Sequence, residues 1–163
     1  MLVLERKLFD KLHKCIYNKR TYYKGDFAME FSFSLKIKAK KEDAWEYYAN
    51  IEKWYDWEKD LKNITLKGEF KTGSCGTMEL EGMPPMEYKL TLVKPFEEFW
   101  DKTETPFGDI LFGHQIIDNN DGSVNIKHTV ILDSEDEQHL EFLSQVFSDV
   151  PQSIFILKNY LER

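Results

Sequence analysis

The loop DNNDGS, residues 118–123, most constrains the fold of this chain, because it separates two stretches with apolar residues at alternate positions. The first stretch covers residues 110–117 and the second covers residues 124–132. Asn and Asp-Gly tolerate the positive φ angles that tight β-turns require, so the loop predicts a hairpin. The two stretches are therefore predicted to be neighbouring antiparallel strands.

Further strands are predicted on the N-terminal side of this hairpin. Phe31, Phe33, Leu35 and Ile37 alternate with polar residues, which is typical of a strand with one face in water. Four shorter apolar stretches follow beside turn residues. They contain Ile64 and Leu66; Met78 and Leu80; Met86, Tyr88, Leu90 and Leu92; and Phe99 and Trp100. The sheet is therefore predicted to have about seven strands.

Two helical regions accompany these strands. Residues 39–61, AKKEDAWEYYANIEKWYDWEKDL, have apolar side chains at helical spacing and predict two short helices with a break near Asn50. The C-terminal segment carries a single apolar stripe at helical spacing, and Pro151 within it predicts a kink. The stripe consists of Leu140, Leu143, Val146, Phe147, Val150, Ile154, Leu157 and Leu161.

This order of elements predicts an α+β fold. A strongly curved antiparallel sheet of about seven strands is expected to wrap around a long C-terminal helix, with two short helices after the first strand. If the sheet curls far enough, either large side chains or a ligand must fill the space between sheet and helix. The sequence leaves both outcomes open.

The N-terminal segment differs from the rest of the chain in charge. Residues 1–28 carry seven Lys and Arg against three Asp and Glu, whereas the whole chain has a net charge of −7. Leu4, Leu8 and Leu12 are spaced as in a short basic amphipathic helix. This extension is either a contact for a membrane or partner, or a dispensable segment before a second possible start at Met29. Residues 29–163 are predicted to form one domain.

Charge and motifs exclude several classes of function. The acidic body argues against nucleic-acid binding, which depends on basic side chains. Without an apolar run of about 20 residues, stable membrane insertion is not expected, and the protein is predicted to be cytoplasmic. Cys15 and Cys75 form neither a disulfide framework nor a metal motif. We expect no metal and no cofactor, because no phosphate-binding or metalloprotease motif is present.

The chain resembles the START-like helix-grip superfamily, also called SRPBCC, and in particular its polyketide cyclase/dehydrase-like branch. The resemblance rests on residues 34–80, with an early strand, a charged pair, a Trp in the first helix and a W-x-x-W end to the second, and on LTLVKPFEEFWDKT and IDNNDGSVNIKHTVIL. It covers residues 30–163 and implies an internal apolar cavity between the sheet and the C-terminal helix. Members include cyclases and dehydrases, lipid and hormone carriers, and chaperone co-activators.

Two groups of large side chains are candidate cavity walls. Trp54 and Trp57 share a helix face, and they either plug the core or line the cavity, as the resemblance implies. Met78 and Met86 lie on the middle strands, where Met can fill a core or adapt to a ligand. Tyr88 adds a hydroxyl group that could orient a ligand in an apolar pocket.

His114 and His128 occupy the apolar phase of neighbouring strands. Facing a core, a neutral His must find a hydrogen-bond partner. Facing a cavity, it could act as a general acid or base, as a cyclase or dehydratase requires. The candidate catalytic residues are therefore His114, His128 and Tyr88, and no third ligand falls at the spacing of a zinc site.

The sequence does not show which side chains of the strand from Phe99 to Glu104 point inward. If Phe99 points inward, Asp101 and Thr103 do so too, whereas Trp100 pointing inward would bring in Lys102 and Glu104. The predicted ligand-binding residues are Trp54, Trp57, Met78, Met86, Tyr88, Trp100, Phe112, His114 and His128.

Three hypotheses about function follow. The first is binding of a small hydrophobic molecule, lipid-like or aromatic, in the internal cavity. The second is an enzyme of the cyclase/dehydratase, lyase-type class acting on a polyketide-like substrate. The third is a protein-interaction module similar to the chaperone co-activators, whose acidic surface would suit a basic partner.

Overall fold

The computed structural model describes residues 28–163, so the predicted N-terminal helix lies outside the described residues. Within this range the chain forms seven strands and four α-helices. The strands are β1 (Met29–Ile37), β2 (Leu61–Leu66), β3 (Cys75–Leu80), β4 (Met86–Lys94), β5 (Glu98–Thr105), β6 (Gly108–Asp118) and β7 (Val124–Leu132). The helices are α1 (Lys41–Ala49), α2 (Trp54–Trp57), α3 (Leu140–Phe147) and α4 (Val150–Leu161).

The seven strands form one antiparallel sheet in the order β1-β7-β6-β5-β4-β3-β2. The predicted α+β fold class is confirmed, with the two short helices after β1 and the helical C-terminus. The hairpin of residues 118–123 also forms as predicted, because β6 pairs with β7 up to Asp118 and Val124. Asn120 and Gly122 adopt φ angles of 57° and 81° in its loop, which is why Asn and Gly suit this turn.

Two breaks shape the helical regions. Asn50 ends α1, and its side-chain oxygen accepts a hydrogen bond from the Glu52 backbone N–H at 3.1 Å, which starts a short 3₁₀ turn before α2. The C-terminal helix is divided into α3 and α4 at Ser148 and Asp149. Pro151 lies in the first turn of α4, where its missing N–H costs no helical hydrogen bond.

Buried side chains form two clusters on the inner face of the sheet. One contains the two Trp residues of α2 together with Phe99, Tyr48 and Ile154. The other joins Ile110, Val130 and Leu132 of the sheet to Leu143 and Phe147 of α3. Phe99 is fully buried, and the alternation along β5 therefore turns Asp101 and Thr103 inward as well. No helix in the described part of the chain is long and apolar enough to cross a bilayer.

Candidate functional site

A cavity of about 270 Å³ lies between the inner face of the sheet and the α3–α4 segment. Its apolar wall comes from α2, from strands β3, β4, β6 and β7 and from α3, whereas β5 contributes Asp101, Thr103 and Thr105. Asp60, Met83, Gln145 and Ser148 line it and are exposed, so the cavity opens to solvent beside the β3–β4 connection and the break between α3 and α4.

The structure brings most of the predicted ligand-binding residues together around this cavity. Those that line it are Trp54, Trp57, Met78, Met86, Tyr88, Phe112, His114 and His128. Trp100 is placed elsewhere. Its ring lies against Gly113, where a Cβ atom would come within 2.4 Å of the indole, and its Nε1–H donates to Glu98 Oε2 at 2.8 Å. Trp100 therefore has the opposite parity to Phe99 and packs on the outer face of the sheet.

Trp54 and Trp57 both fill the core and face the cavity. They are 4% and 0% exposed, and their rings pack against each other with centroids 5.7 Å apart. The Nε1–H of Trp54 donates to the Tyr48 carbonyl at 2.9 Å, and that of Trp57 donates to the Tyr47 carbonyl at 3.3 Å. Because α1 fixes both indoles through its backbone, they are rigid parts of the cavity wall.

His128 has a hydrogen-bond partner inside the core. Its Nε2 lies 2.9 Å from the hydroxyl of Tyr48 on α1. Burial lowers the pKa of His128 to about 3 and raises that of Tyr48 above its usual value. Both groups are therefore neutral near pH 7, and the hydrogen bond between them gives the buried imidazole the partner that a structural His requires.

His114 is arranged differently. It stacks on Phe99 with ring centroids 4.1 Å apart and packs against the His128 ring at 4.6 Å. Its Nδ1 has no hydrogen-bond partner among the described residues and lies 3.9 Å from Asp101 Oδ2, which is too long for a hydrogen bond. Burial, followed by the neighbouring His128, lowers the pKa of His114, so the imidazole is neutral.

Tyr88 is held by the edge of the sheet. Its hydroxyl donates to the Thr65 carbonyl at 2.9 Å, passing across Gly76. Burial, with a smaller contribution from Asp101, raises the pKa of Tyr88. The Tyr88 proton is thus engaged with backbone, and the ring rather than the hydroxyl is what this residue offers to the cavity.

Four carboxyl groups line the same cavity: Glu58, Asp60, Asp101 and Asp149. Burial raises the pKa of Asp101 to about 8. The pKa of Glu58 is also raised to about 8, by burial and then by the charges of Asp149, Asp101 and Asp60. Burial raises the pKa of Asp149 as well. Sequence reasoning had not identified Glu58, Asp60 and Asp149, which lie at helix ends or in connections where acidic residues are usually solvated.

Raising the pH is expected to destabilise the native protein more than its Asp101→Asn variant. The carboxyl of Asp101 has a pKa of about 8 when folded and about 3.9 when unfolded. The folded state therefore holds an extra proton in this interval, and its stability falls as the pH rises through it. Urea unfolding at several pH values should show an advantage of the variant that grows from about pH 5 to about pH 9. The exposed Asp133→Asn variant should follow the native curve, and parallel curves for all three proteins would contradict the buried carboxyl.

The residues that the structure describes contain no group of three or more His, Cys, Asp and Glu side chains arranged to hold a metal ion. What the cavity offers is instead an apolar aromatic wall and one polar end. We call Asp101, Thr103 and His114 the polar end of the cavity. All three are at least nine-tenths buried, and they lie on the paired strands β5 and β6.

Comparison with known proteins gives a match at the level of fold. No protein-family model matches the sequence, and no curated protein sequence matches it. Norcoclaurine synthase from Thalictrum flavum superposes with a TM-score of 0.66 at 12% identity, covering 91% of this chain and 98% of that one. The Aha1 dimer from Colwellia psychrerythraea gives 0.64 at 14% identity, with coverages of 82% and 96%. CalU16 from Micromonospora echinospora gives 0.62 at 12% identity, with coverages of 82% and 76%. The chain therefore has the same fold as these three proteins, which is the helix-grip fold that its sequence predicted.

Proposed function

We propose that this protein binds a compact, mainly apolar or aromatic molecule in the cavity between its sheet and its C-terminal helices. The observation that carries the proposal is the lining, in which Trp54 and Phe112 supply aromatic surfaces and Met78 and Met86 supply adaptable ones. Apolar walls with a few converging polar groups are typical of small-molecule sites.

The size of the cavity favours a small ligand. A volume of about 270 Å³ lies just below the range of roughly 300–1,000 Å³ that is common for ligand pockets. One or two rings therefore suit it better than a long acyl chain. A structure of norcoclaurine synthase contains dopamine and hydroxybenzaldehyde, which supports the view that this fold can enclose small aromatic molecules.

Calorimetric titration with 1-naphthalenemethanol, an uncharged two-ring probe, tests the proposal. We expect saturable binding at one site in the native protein. Val146 lines the cavity from α3, so the Val146→Trp variant should fill the space and weaken binding by about tenfold or more, which corresponds to about 1.4 kcal/mol.

The matched control is Ile117→Trp, which adds the same ring at an exposed position of β6 outside the cavity. Circular dichroism establishes that both variants are folded. The proposal fails if the probe does not bind saturably, or if the two Trp variants bind it equally well.

A second candidate function is proton-transfer catalysis on the bound molecule, of the cyclase/dehydratase, lyase-type class. The observation that favours it is the pair formed by Asp101, which holds a proton near pH 7, and the neutral His114 beside it. Two neighbouring groups with pKa values shifted in opposite directions are typical of an acid and a base.

Native mass spectrometry of freshly purified protein distinguishes a binding protein from an enzyme. A carrier returns its ligand unchanged, whereas an enzyme converts the ligand on incubation.

A further inference from the structure

The ionisable side chains of residues 28–163 that line the cavity include several carboxyl groups but no permanently cationic group. Four carboxyl groups line the cavity, and the lining formed by the described residues includes no Lys or Arg side chain. The carboxyl groups also come from separate parts of the fold: Asp101 lies on β5, Glu58 and Asp60 follow α2, and Asp149 precedes α4. They are close enough that Asp149, Asp101 and Asp60 each raise the pKa of Glu58. Carboxyl groups gathered around an apolar space are costly unless a positive charge joins them.

The polar end of the cavity also lacks hydrogen-bond partners. Thr103 Oγ1 and His114 Nδ1 are buried without a partner among residues 28–163. The two side chains are 6% and 7% exposed, and both line the cavity. Buried polar atoms are satisfied in most native proteins, because an unpaired one costs about 1–3 kcal/mol. The lack of hydrogen-bond partners for these atoms near Asp101 therefore points to a polar group that is supplied by a ligand.

A protonated amine is the group that suits both the carboxyl groups and the unpaired His114 Nδ1 beside Asp101. An ammonium ion has three N–H donors and no acceptor. Asp101 offers carboxylate oxygens, and the neutral His114 can accept at Nδ1, which lies 3.9 Å from Asp101 Oδ2 and is therefore within reach of the same ammonium group. Thr103 lies two residues beyond Asp101 on the same face of β5, on the side away from His114. A carboxylate or phosphate ligand would instead meet four acidic groups without a counter-ion.

On the basis of the proposed function, we infer that the ligand is an aromatic amine carrying a single ammonium group, which binds between Asp101 and His114 while its rings contact the apolar wall at Met78, Met86 and Phe112. The inference narrows the hydrophobic ligand class to cationic molecules and disfavours fatty acids.

Binding of an amine should be linked to release of a proton. Asp101 is protonated in the empty cavity near pH 7, because burial raises its pKa to about 8. An ammonium ion favours the ionised carboxylate, so the Asp101 proton leaves on binding. Glu58, Asp60 and Asp149 face the same space and act in the same direction, whereas His114 and His128 are already neutral and Tyr88 stays protonated. Affinity for an amine should therefore increase from about pH 6 to about pH 8.

Three probes of one shape test the inference: 1-naphthylmethylamine, 1-naphthalenemethanol and 1-naphthoate. Calorimetry near pH 8 should give the amine at least about tenfold tighter binding than the alcohol, and the carboxylate the weakest binding, since charge-assisted hydrogen bonds are about twice as strong as neutral ones. Titrations in two buffers of different ionisation enthalpy should reveal proton release with the amine alone.

Asp101→Asn provides the decisive variant. It keeps the side-chain shape and removes the charge, so the ratio of amine affinity to alcohol affinity should fall to about threefold or less. Because this ratio is taken within one protein, a change that weakens both probes equally does not alter it. Asp133→Asn, at an exposed site outside the cavity, should keep the native preference. The inference is overturned if the alcohol binds as tightly as the amine, or if Asp101→Asn retains the preference. Saturable binding of the alcohol in either case leaves the proposed function standing, and failure of all three probes refutes both.

Discussion

Replacement of Trp57 with alanine is expected to lower the free energy of unfolding by about 3–5 kcal/mol, the usual cost of removing a fully buried aromatic side chain. Trp57 is 0% exposed and its ring packs against those of Tyr48, His114 and His128. Its loss would leave a void that adds to the cavity, and the Tyr47 carbonyl would lose its indole donor. Urea unfolding monitored by circular dichroism measures the change.

Asp56→Ala is the matched control for Trp57→Ala. Asp56 lies beside Trp57 on α2 and is exposed, so its replacement should change stability by no more than about 0.5 kcal/mol. A loss below about 1 kcal/mol for Trp57→Ala, similar to that of a surface change, would mean that the indole only borders the cavity. It would then not hold α2 to the sheet.

Gly76→Ala is expected to destabilise the fold by about 2–4 kcal/mol, through overpacking and loss of a hydrogen bond. A Cβ atom at this position would lie 2.0 Å from the Thr65 carbonyl oxygen and 2.6 Å from the Tyr88 hydroxyl. Either β2 or the Tyr88 ring must move, and the bond from Tyr88 to Thr65 is then broken. Because Tyr88 lines the cavity, affinity for 1-naphthalenemethanol should fall together with stability.

Cys75→Ala tests whether the effect is specific to the crossing point of Tyr88. Cys75 is the preceding residue on β3 and is exposed, so its replacement should leave both stability and probe affinity close to native values. Chemical denaturation and calorimetry of the two variants provide the comparison. Equal stabilities of Gly76→Ala and the native protein would show that β2 has room for a side chain at this position.

The sequence predicted the order of elements because its signals are local. Alternation along β7 and the Asn120 and Gly122 turn specify a hairpin without reference to the rest of the chain. The parity of β5 could not be predicted in this way, because Phe99 and Trp100 are adjacent and both aromatic. The choice depends on register: Trp100 pairs with Gly113, and the missing side chain there leaves room for the indole on the outer face.

The acidic lining was hidden from sequence reasoning for a different reason. Asp149 precedes Val150 and Pro151, a pattern typical of a helix start, yet its side chain makes no capping hydrogen bond. Glu58 follows Trp57 at the end of α2 in an otherwise charged segment, where the default expectation is solvation. Only the three-dimensional arrangement brings these residues to the same cavity as Asp101.

The distribution of the four carboxyl groups bears on how the ligand specificity of such a protein can change. Asp101 lies on a central strand, whereas Glu58, Asp60 and Asp149 lie in connections between elements. Connections tolerate substitution better than strands do. Evolution or protein engineering can therefore alter the charge that an incoming molecule meets by changing three positions outside the sheet, and leave the aromatic wall and its packing intact.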